Sequence, residues 1–224
     1  MTRVVRFTAS ERAFHWVFAA GWLGLLASGL PLMLPGLQAW IRGYSPVIGV
    51  RLHLAAAGLW VLALAAVLVL GHRRRLAATW RDLIALDADD RRWLARFPRW
   101  LTAAPAARTR LDGRVGRFNA GQKLNALFTA ASAAVLLVTG LALVPVVLGA
   151  PVPGPAVGAA LRAVHRWVTL AALLPLAGHL FFALAFPPTR PSLAGMLDGR
   201  VDADWAAHHH PRWRGERAPE DRAA

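Results

Sequence analysis

Four long apolar runs constrain this chain more than any other feature of its sequence. Each run lacks Asp, Glu, Lys and Arg for 20 residues or more. The runs are Ala13–Ile41, Leu52–Gly71, Leu124–Leu161 and Trp167–Thr189. A helix needs roughly 20 apolar residues to cross a hydrocarbon core of about 30 Å. The sequence therefore predicts an all-α membrane protein, a bundle of four transmembrane helices.

The positions of these runs predict the domain organisation. The expected helices lie at about 11–34, 50–71, 121–148 and 157–186. Ser10 is a suitable N-cap for the first of them. With a polar segment at about 72–120, the helices would form one transmembrane domain over residues 1–200, followed by a polar C-terminal tail at 201–224. The first run is too long for the apolar part of a cleaved signal peptide, so we expect a retained helix.

Arginine is distributed unevenly among the segments that join the helices. In a soluble protein, the net charge of +14 would suggest a nucleic-acid partner. Here the segment 72–123 holds twelve Arg and Lys123, whereas 34–51 holds only Arg42 and Arg51. Positive residues accumulate on the cytoplasmic side of a membrane. We therefore expect cytoplasmic termini, a cytoplasmic middle segment and no nucleic-acid partner.

The middle segment has an aromatic pattern of its own. Trp93, Phe97 and Trp100 recur at spacings of four and three residues, with arginines between them. This pattern is typical of a short helix in the membrane interface, with its aromatic rings among the headgroups. Docking to a partner subunit explains it equally well, and Pro98 is expected to break the helix.

Four histidines lie within or at the ends of the apolar helices, where ionisable residues are costly and usually functional. The predicted topology places His15 near the cytoplasmic face, and His53 and His165 near the outer face. His179 follows His165 by fourteen residues, which is roughly 21 Å along a helix. The histidines therefore form two levels, with His15 and His179 at the inner one and His53 and His165 at the outer one.

The direction of the histidines identifies the ligand that would suit them. Fourteen residues at about 100° each fall roughly 40° short of four turns, so His165 and His179 point from nearly the same face. Two other helices each supply one further imidazole, and no carboxylate lies in the helix interiors. This arrangement predicts two b-type haems with bis-histidine iron ligation. Small residues would leave room for a porphyrin, although close helix packing uses them as often. They include Gly21, Gly24, Gly29, Gly58 and Gly178.

The cysteine count and the other four histidines do not indicate a further metal or haem site. The chain has no cysteine, so it cannot by itself ligate an iron–sulfur cluster or attach a haem covalently. His72 follows a helix beside three arginines and is expected to be merely interfacial. The run His208-His209-His210 lies in the polar tail, where a solvated or partner-contacting segment is favoured over a metal site.

The start of the third transmembrane helix carries amides beside a glycine, at the level of His179. Asn119 and Gln122 could donate hydrogen bonds to the carbonyl oxygens of a quinone, with Gly121 allowing a close approach. The alternative is an ordinary helix start with Asn119 as its N-cap. The spacing alone slightly favours the second interpretation.

Several motifs occur in an order typical of one family. They are Glu11-Arg12-Ala13-Phe14-His15-Trp16, Ser28-Gly29-Leu30, Arg117-Phe118-Asn119-Ala120-Gly121-Gln122-Lys123, Thr139-Gly140-Leu141, His165-Arg166, His179, Gly195-Met196, Asp202-Ala203-Asp204-Trp205-Ala206 and His209-His210-Pro211-Arg212-Trp213. In this order they resemble the gamma subunit, the cytochrome b subunit, of membrane-bound formate dehydrogenase. The resemblance covers nearly the whole chain.

The resemblance implies a role for each matched residue. His15 and His179 would ligate the iron of an inner haem b, and His53 and His165 that of an outer haem b. The quinone, menaquinone or ubiquinone, would be bordered by Asn119, Gly121, Gln122 and His179.

The same resemblance implies an electron-transfer subunit of a complex in the bacterial cytoplasmic membrane. An iron–sulfur beta subunit would supply the electrons, and a catalytic alpha subunit would oxidise formate. This chain would hold no catalytic residue for formate, although quinone would be reduced on it.

Other functions compete with this one. A related anchor of a nickel–iron hydrogenase or another respiratory oxidoreductase would share the four histidines, and the copurifying partners would tell them apart. A haem-free, proton-coupled transporter would need acidic residues within its helices, and the sequence has none there. A purely structural anchor would leave the depth-matched histidines unexplained.

Overall fold

The computed structural model describes residues 2–104, 114–147, 154–213 and the short strand at 216–217. These residues fall into two compact units. The first, which we call the apolar unit, comprises Ala13–Gly71 and Ala130–Leu174. The second, which we call the polar unit, comprises Met1–Arg12, His72–Thr129 and Pro175–Ala224.

Four helices of the described residues are long and apolar enough to cross a membrane, so the predicted four-helix membrane architecture is confirmed. They are α1 (Ala9–Met33), α3 (Pro46–Leu70), α6 (Ala120–Val147) and α7 (Pro155–Leu180). A π-helical turn, Phe181–Ala185, continues α7. The largest difference from the expected bounds is at α3, which begins four residues early because the Ser45 side chain accepts the Ile48 amide and Pro46 suits the first turn.

The first helix has a different N-cap from the predicted Ser10. Thr8 Oγ1 accepts the amide of Glu11 at 3.4 Å, while the Glu11 carboxylate accepts the amide of Thr8 at 2.7 Å. This is a reciprocal capping box, and it satisfies two amides at the start of α1. The Ser10 hydroxyl instead accepts the amide of His72 at 2.9 Å.

The polar unit contains helices that the sequence did not separate. The middle segment folds into α4 (Arg73–Ile84) and α5 (Ala88–Thr102). Pro98 does not break α5, contrary to expectation, and a capping box between Asp87 and Asp90 starts the helix. A further short helix, α2 (Pro35–Trp40), follows α1 in the chain and belongs to the apolar unit.

The aromatic side chains of α5 lie inside the protein rather than among lipid headgroups. Trp93 and Trp100 are buried. The ring of Phe97 lies 6.1 Å from that of Phe182, and the ring of Trp100 lies 5.7 Å from that of Phe186. The aromatic pattern is thus a core contact with the end of the fourth transmembrane helix. Because Trp93 and Trp100 are buried, neither predicted use, a headgroup belt or a docking face, applies to these two rings.

The described residues of the C-terminal segment, 201–213 and 216–217, are folded onto the protein. Strand β1 (Arg3–Val5) pairs antiparallel with β2 (Arg200–Asp202) on one side and β3 (Glu216–Arg217) on the other. Two short helices, α8 (Leu193–Leu197) and α9 (Ala203–His209), flank β2. Val201 is fully buried, so this small sheet has a core of its own.

One glycine of the apolar unit accommodates a tryptophan instead of a porphyrin. A Cβ atom on Gly21 would lie 1.8 Å from Cδ1 of Trp60, which is itself packed against Phe18 with ring centroids 5.1 Å apart. We expect Gly21→Ala to overpack this contact and to lower the free energy of unfolding by about 1–3 kcal/mol. Gly24→Ala is the matched control, because no described atom lies within 4 Å of its Cβ position. Equal unfolding midpoints of the two variants in detergent would contradict this packing.

Candidate functional site

Two histidines of the apolar unit face each other across helices α3 and α7. The ring centroids of His53 and His165 lie 6.3 Å apart, with an interplanar angle of 80°. A metal–imidazole nitrogen bond is about 2.0 Å and each nitrogen lies about 1.2 Å from its ring centre, so two imidazoles on one metal ion have centroids roughly 6.4 Å apart. The spacing of this pair therefore fits bis-histidine ligation of a haem iron.

A hydroxyl group holds the Nδ1 atom of each ring. Ser28 Oγ on α1 lies 2.9 Å from Nδ1 of His53, and Thr139 Oγ1 on α6 lies 2.8 Å from Nδ1 of His165. All four helices of the apolar unit thus contribute to the pair, two with a histidine and two with a hydroxyl. With Nδ1 engaged on both rings, Nε2 is the nitrogen available to a metal.

A glycine follows each hydroxyl residue and lies against the same imidazole. A Cβ on Gly29 would lie 3.0 Å from Cε1 of His53, and a Cβ on Gly140 would lie 3.5 Å from Cε1 of His165. Gly29 is therefore required for close approach, whereas alanine would fit at Gly140. Sequence reasoning gave Gly29 only the role of leaving room for a porphyrin and gave the other three residues none. The only trace of this arrangement in the sequence is that hydroxyl residue, glycine and leucine follow one another on two helices.

The other two predicted haem ligands lie in different units. His15 is in the apolar unit on α1, and the edge of its ring faces Trp16 with centroids 5.1 Å apart. His179 is in the polar unit on α7, just before the π-helical turn. The pairing of His15 with His179 stays a prediction from their depth along the helices.

The amides at the start of α6 form a capping box. The backbone N–H of Asn119 donates to Oε1 of Gln122 at 3.0 Å, and the backbone N–H of Gln122 donates to Oδ1 of Asn119 at 2.9 Å. The N-cap interpretation is therefore correct. It uses only the side-chain oxygens, so the NH₂ groups of both residues are left as potential donors. A Cβ on Gly121 would lie 3.3 Å from Oδ1 of Asn119, so the glycine also protects this cap.

A small polar cavity of about 30 Å³ adjoins these amides. Its lining includes Asn119, Gln122, Ser192, His209 and His210. The volume suits one water molecule with several polar partners. The C-terminal histidines, which the sequence placed in a solvated tail, are thus brought to the start of α6.

His210 has a structural role in this arrangement. It is buried, and its Nδ1 lies 2.8 Å from the carbonyl oxygen of Gly116. Burial, and then the nearby Arg6 guanidinium, hold the pKa of His210 well below its usual range, so the ring is neutral. No group of three or more His, Cys, Asp or Glu side chains among the described residues could hold a metal ion. Within the histidine run, His210 therefore packs against the fold and His209 lines the cavity, whereas His208 is exposed.

A buried ion pair that sequence reasoning missed ties the polar unit together. Arg117 Nη2 lies 2.6 Å from Oε1 of Glu11, and both side chains are largely buried. Thr79 also bonds both residues. Arg6 lies close by, and its pKa falls to about 9 because of burial and the positive charge of Arg117. The signal in the sequence was Glu11, an acidic residue two positions before the first apolar run.

Four membrane-spanning helices that present opposed imidazoles, with no carboxylate beside them, define a class of membrane electron carriers that bind haem through histidine. Residues 6–199 match the family described as prokaryotic cytochrome b561. The chain belongs to this family. The family is one of b-type cytochromes, so the predicted haem b cofactor is confirmed as a kind of cofactor.

Characterised relatives extend the match over the same length. The chain is 26% identical over 212 residues to the formate dehydrogenase cytochrome b556(fdo) subunit of Escherichia coli strain K12, covering 94% of this chain and 91% of the relative. It is also 26% identical over 211 residues to the nitrate-inducible formate dehydrogenase cytochrome b556(Fdn) subunit of the same strain, covering 94% and 89%. Relatives of this kind are subunits of larger complexes, so a multisubunit assembly is indicated for this chain.

Proposed function

We propose that this chain is the membrane-anchoring cytochrome b subunit of a formate dehydrogenase complex in the bacterial cytoplasmic membrane. It carries two haems b and passes electrons from an iron–sulfur subunit to the quinone pool. Formate is oxidised on a separate catalytic subunit. The names of the relatives and their nearly complete coverage support the complex, and the opposed pair of His53 and His165 carries the electron-transfer role.

Each haem supplies reversible one-electron transfer when bound. His53 and His165 hold the outer haem, and their neutral imidazoles add no charge to the membrane interior. His15 and His179 hold the inner haem. The apolar helices around both sites exclude water and keep the effective dielectric constant low.

The quinone binds at the start of α6 on the inner side. The free NH₂ groups of Asn119 and Gln122 donate to its carbonyl oxygens, and His179 borders the site. We expect a water in the adjoining polar cavity, which His209 and Ser192 help to line, to relay protons to the reduced quinone. The capping box supports this arrangement, because it fixes the orientation of both amides.

Gln122→Glu separates the two roles of this glutamine. A glutamate at this position keeps the capping box but removes the NH₂ donor. We expect both haems to bind and to be reduced by the donor subunits, while their reoxidation by quinone slows about two- to tenfold. Stopped-flow absorbance at pH 8 measures both the reduction of the haems and their reoxidation by quinone. Unchanged reoxidation in this variant and in Gln122→Ala would place the quinone elsewhere.

The direction of electron flow depends on the topology, which the arginine asymmetry predicts. Reporter fusions at Arg91 and at the C-terminus should give cytoplasmic signals, and fusions at Gln38 and Pro153 should give external signals. An external signal at Arg91 would invert the proposed path from the outer haem to the inner one.

Copurification tests the complex itself. The intact complex, isolated through a tag on this chain, should contain an iron–sulfur subunit and should reduce quinone with formate as the donor. Dihydrogen oxidation in place of formate oxidation would identify a hydrogenase anchor, the main alternative. A preparation without haem would contradict both.

A further inference from the structure

The Ser28 and Thr139 hydroxyl groups each lie near two backbone carbonyl oxygens and one imidazole nitrogen, and only one of these three contacts can use the hydroxyl proton. Ser28 Oγ lies 2.8 Å from the carbonyl oxygen of Gly24, and Thr139 Oγ1 lies 2.7 Å from that of Val135. A carbonyl oxygen can only accept, so the hydroxyl proton must point at it. Each hydroxyl therefore presents a lone pair to the imidazole beside it.

This arrangement fixes the tautomer of both histidines. Since the hydroxyl oxygens accept, Nδ1 of His53 and Nδ1 of His165 must each carry the hydrogen. Nε2 then bears a lone pair on both rings.

We propose that Ser28 and Thr139 are positioning residues for the outer haem. They hold His53 and His165 in the Nδ1-protonated tautomer and aim both Nε2 lone pairs at the iron. This proposal rests on the outer haem site proposed above. An acceptor on Nδ1–H raises the basicity of a ligating imidazole, so the two hydroxyls stabilise the oxidised iron and lower its midpoint potential.

The test removes each hydroxyl while keeping the fold. Thr139→Val removes the hydroxyl on α6 and preserves the side-chain shape. Ser28→Ala removes the hydroxyl on α1. We expect each variant to raise the midpoint potential of the outer haem in a redox titration of the purified complex. Transfer of that haem to apomyoglobin should show a 10- to 100-fold loss of affinity. The outer haem is the one whose absorbance disappears in His53→Ala.

Two further variants isolate the contact with the ring. Thr169 Oγ1 donates to the backbone carbonyl of His165 at 2.8 Å, so Thr169→Val is the matched control, because it removes a hydroxyl that bonds the backbone of the same histidine rather than its ring. It should leave the potential unchanged. Thr139→Ser restores the acceptor and should restore the original potential and haem affinity.

The outcomes separate this proposal from the haem site itself. If Thr139→Val and Ser28→Ala both show the same midpoint potential and haem affinity as the control Thr169→Val, the positioning role is overturned. The outer haem site itself would still stand. If His53→Ala and His165→Ala retain every haem, the site itself is wrong. Loss of the outer haem in Thr139→Val with retention in Thr139→Ser supports the proposal.

Discussion

Replacing His53 or His165 with alanine should remove the same haem, and replacing His15 or His179 should remove the other. Each iron depends on two imidazoles from different helices, so the loss of either ligand empties the site. The haem content should fall from two per chain to about one in all four variants. Low-temperature reduced-minus-oxidised spectra of the purified complexes should divide the variants into two pairs with different missing bands.

His72→Ala is the control for this series. His72 lies between α3 and α4, is exposed, and bonds Ser10 only through its backbone amide. The variant should keep both haems. A shared missing band in His15→Ala and His165→Ala would contradict the pairing by depth.

Glu11→Ala should strongly destabilise the polar unit. It removes the buried carboxylate beside Arg117 and leaves the guanidinium without its 2.6 Å partner. Breaking a buried pair on one side costs about 3–5 kcal/mol. Asp82 could not compensate, because its carboxylate is half exposed and lies 3.7 Å away.

The exposed pair of Arg3 and Asp198 provides the comparison. Their contact distance is 2.7 Å, but the two side chains are 41% and 50% exposed. Solvent screening limits such pairs to roughly 0–1 kcal/mol, so Asp198→Ala should have a small effect. Unfolding midpoints of the chain in mixed micelles measure both variants. Similar losses would show that the Glu11–Arg117 contact is not the main tie of this unit.

Features set by periodicity and hydropathy could be predicted from the sequence. The four transmembrane helices, the placement of His53 and His165 on different helices, and the N-cap role of Asn119 depend on local pattern or on length along a helix. A transmembrane helix must satisfy its own backbone, so a long apolar run leaves few alternatives. This is why the juxtaposition of His53 and His165 could be predicted from their depth along the helices.

Features set by long-range contacts could not be predicted. Pro98 was expected to end a helix, because local rules do not include the rings of Phe182 and Phe186 that hold α5 in place. His210 was assigned to a solvated tail, because its burial depends on Gly116, almost a hundred residues earlier in the chain. The roles of Ser28 and Thr139 appear only when a histidine from another helix lies beside each hydroxyl.

The haem stoichiometry of the purified complex tests the central claim most directly. A pyridine haemochrome assay, divided by the amount of this chain from quantitative amino-acid analysis, gives the number of haems b per chain. Four histidines at two levels predict a ratio of two, with both haems reduced by formate through the partner subunits. A ratio of one would contradict the two-level arrangement, and a ratio of zero would contradict an electron-transfer role for this chain.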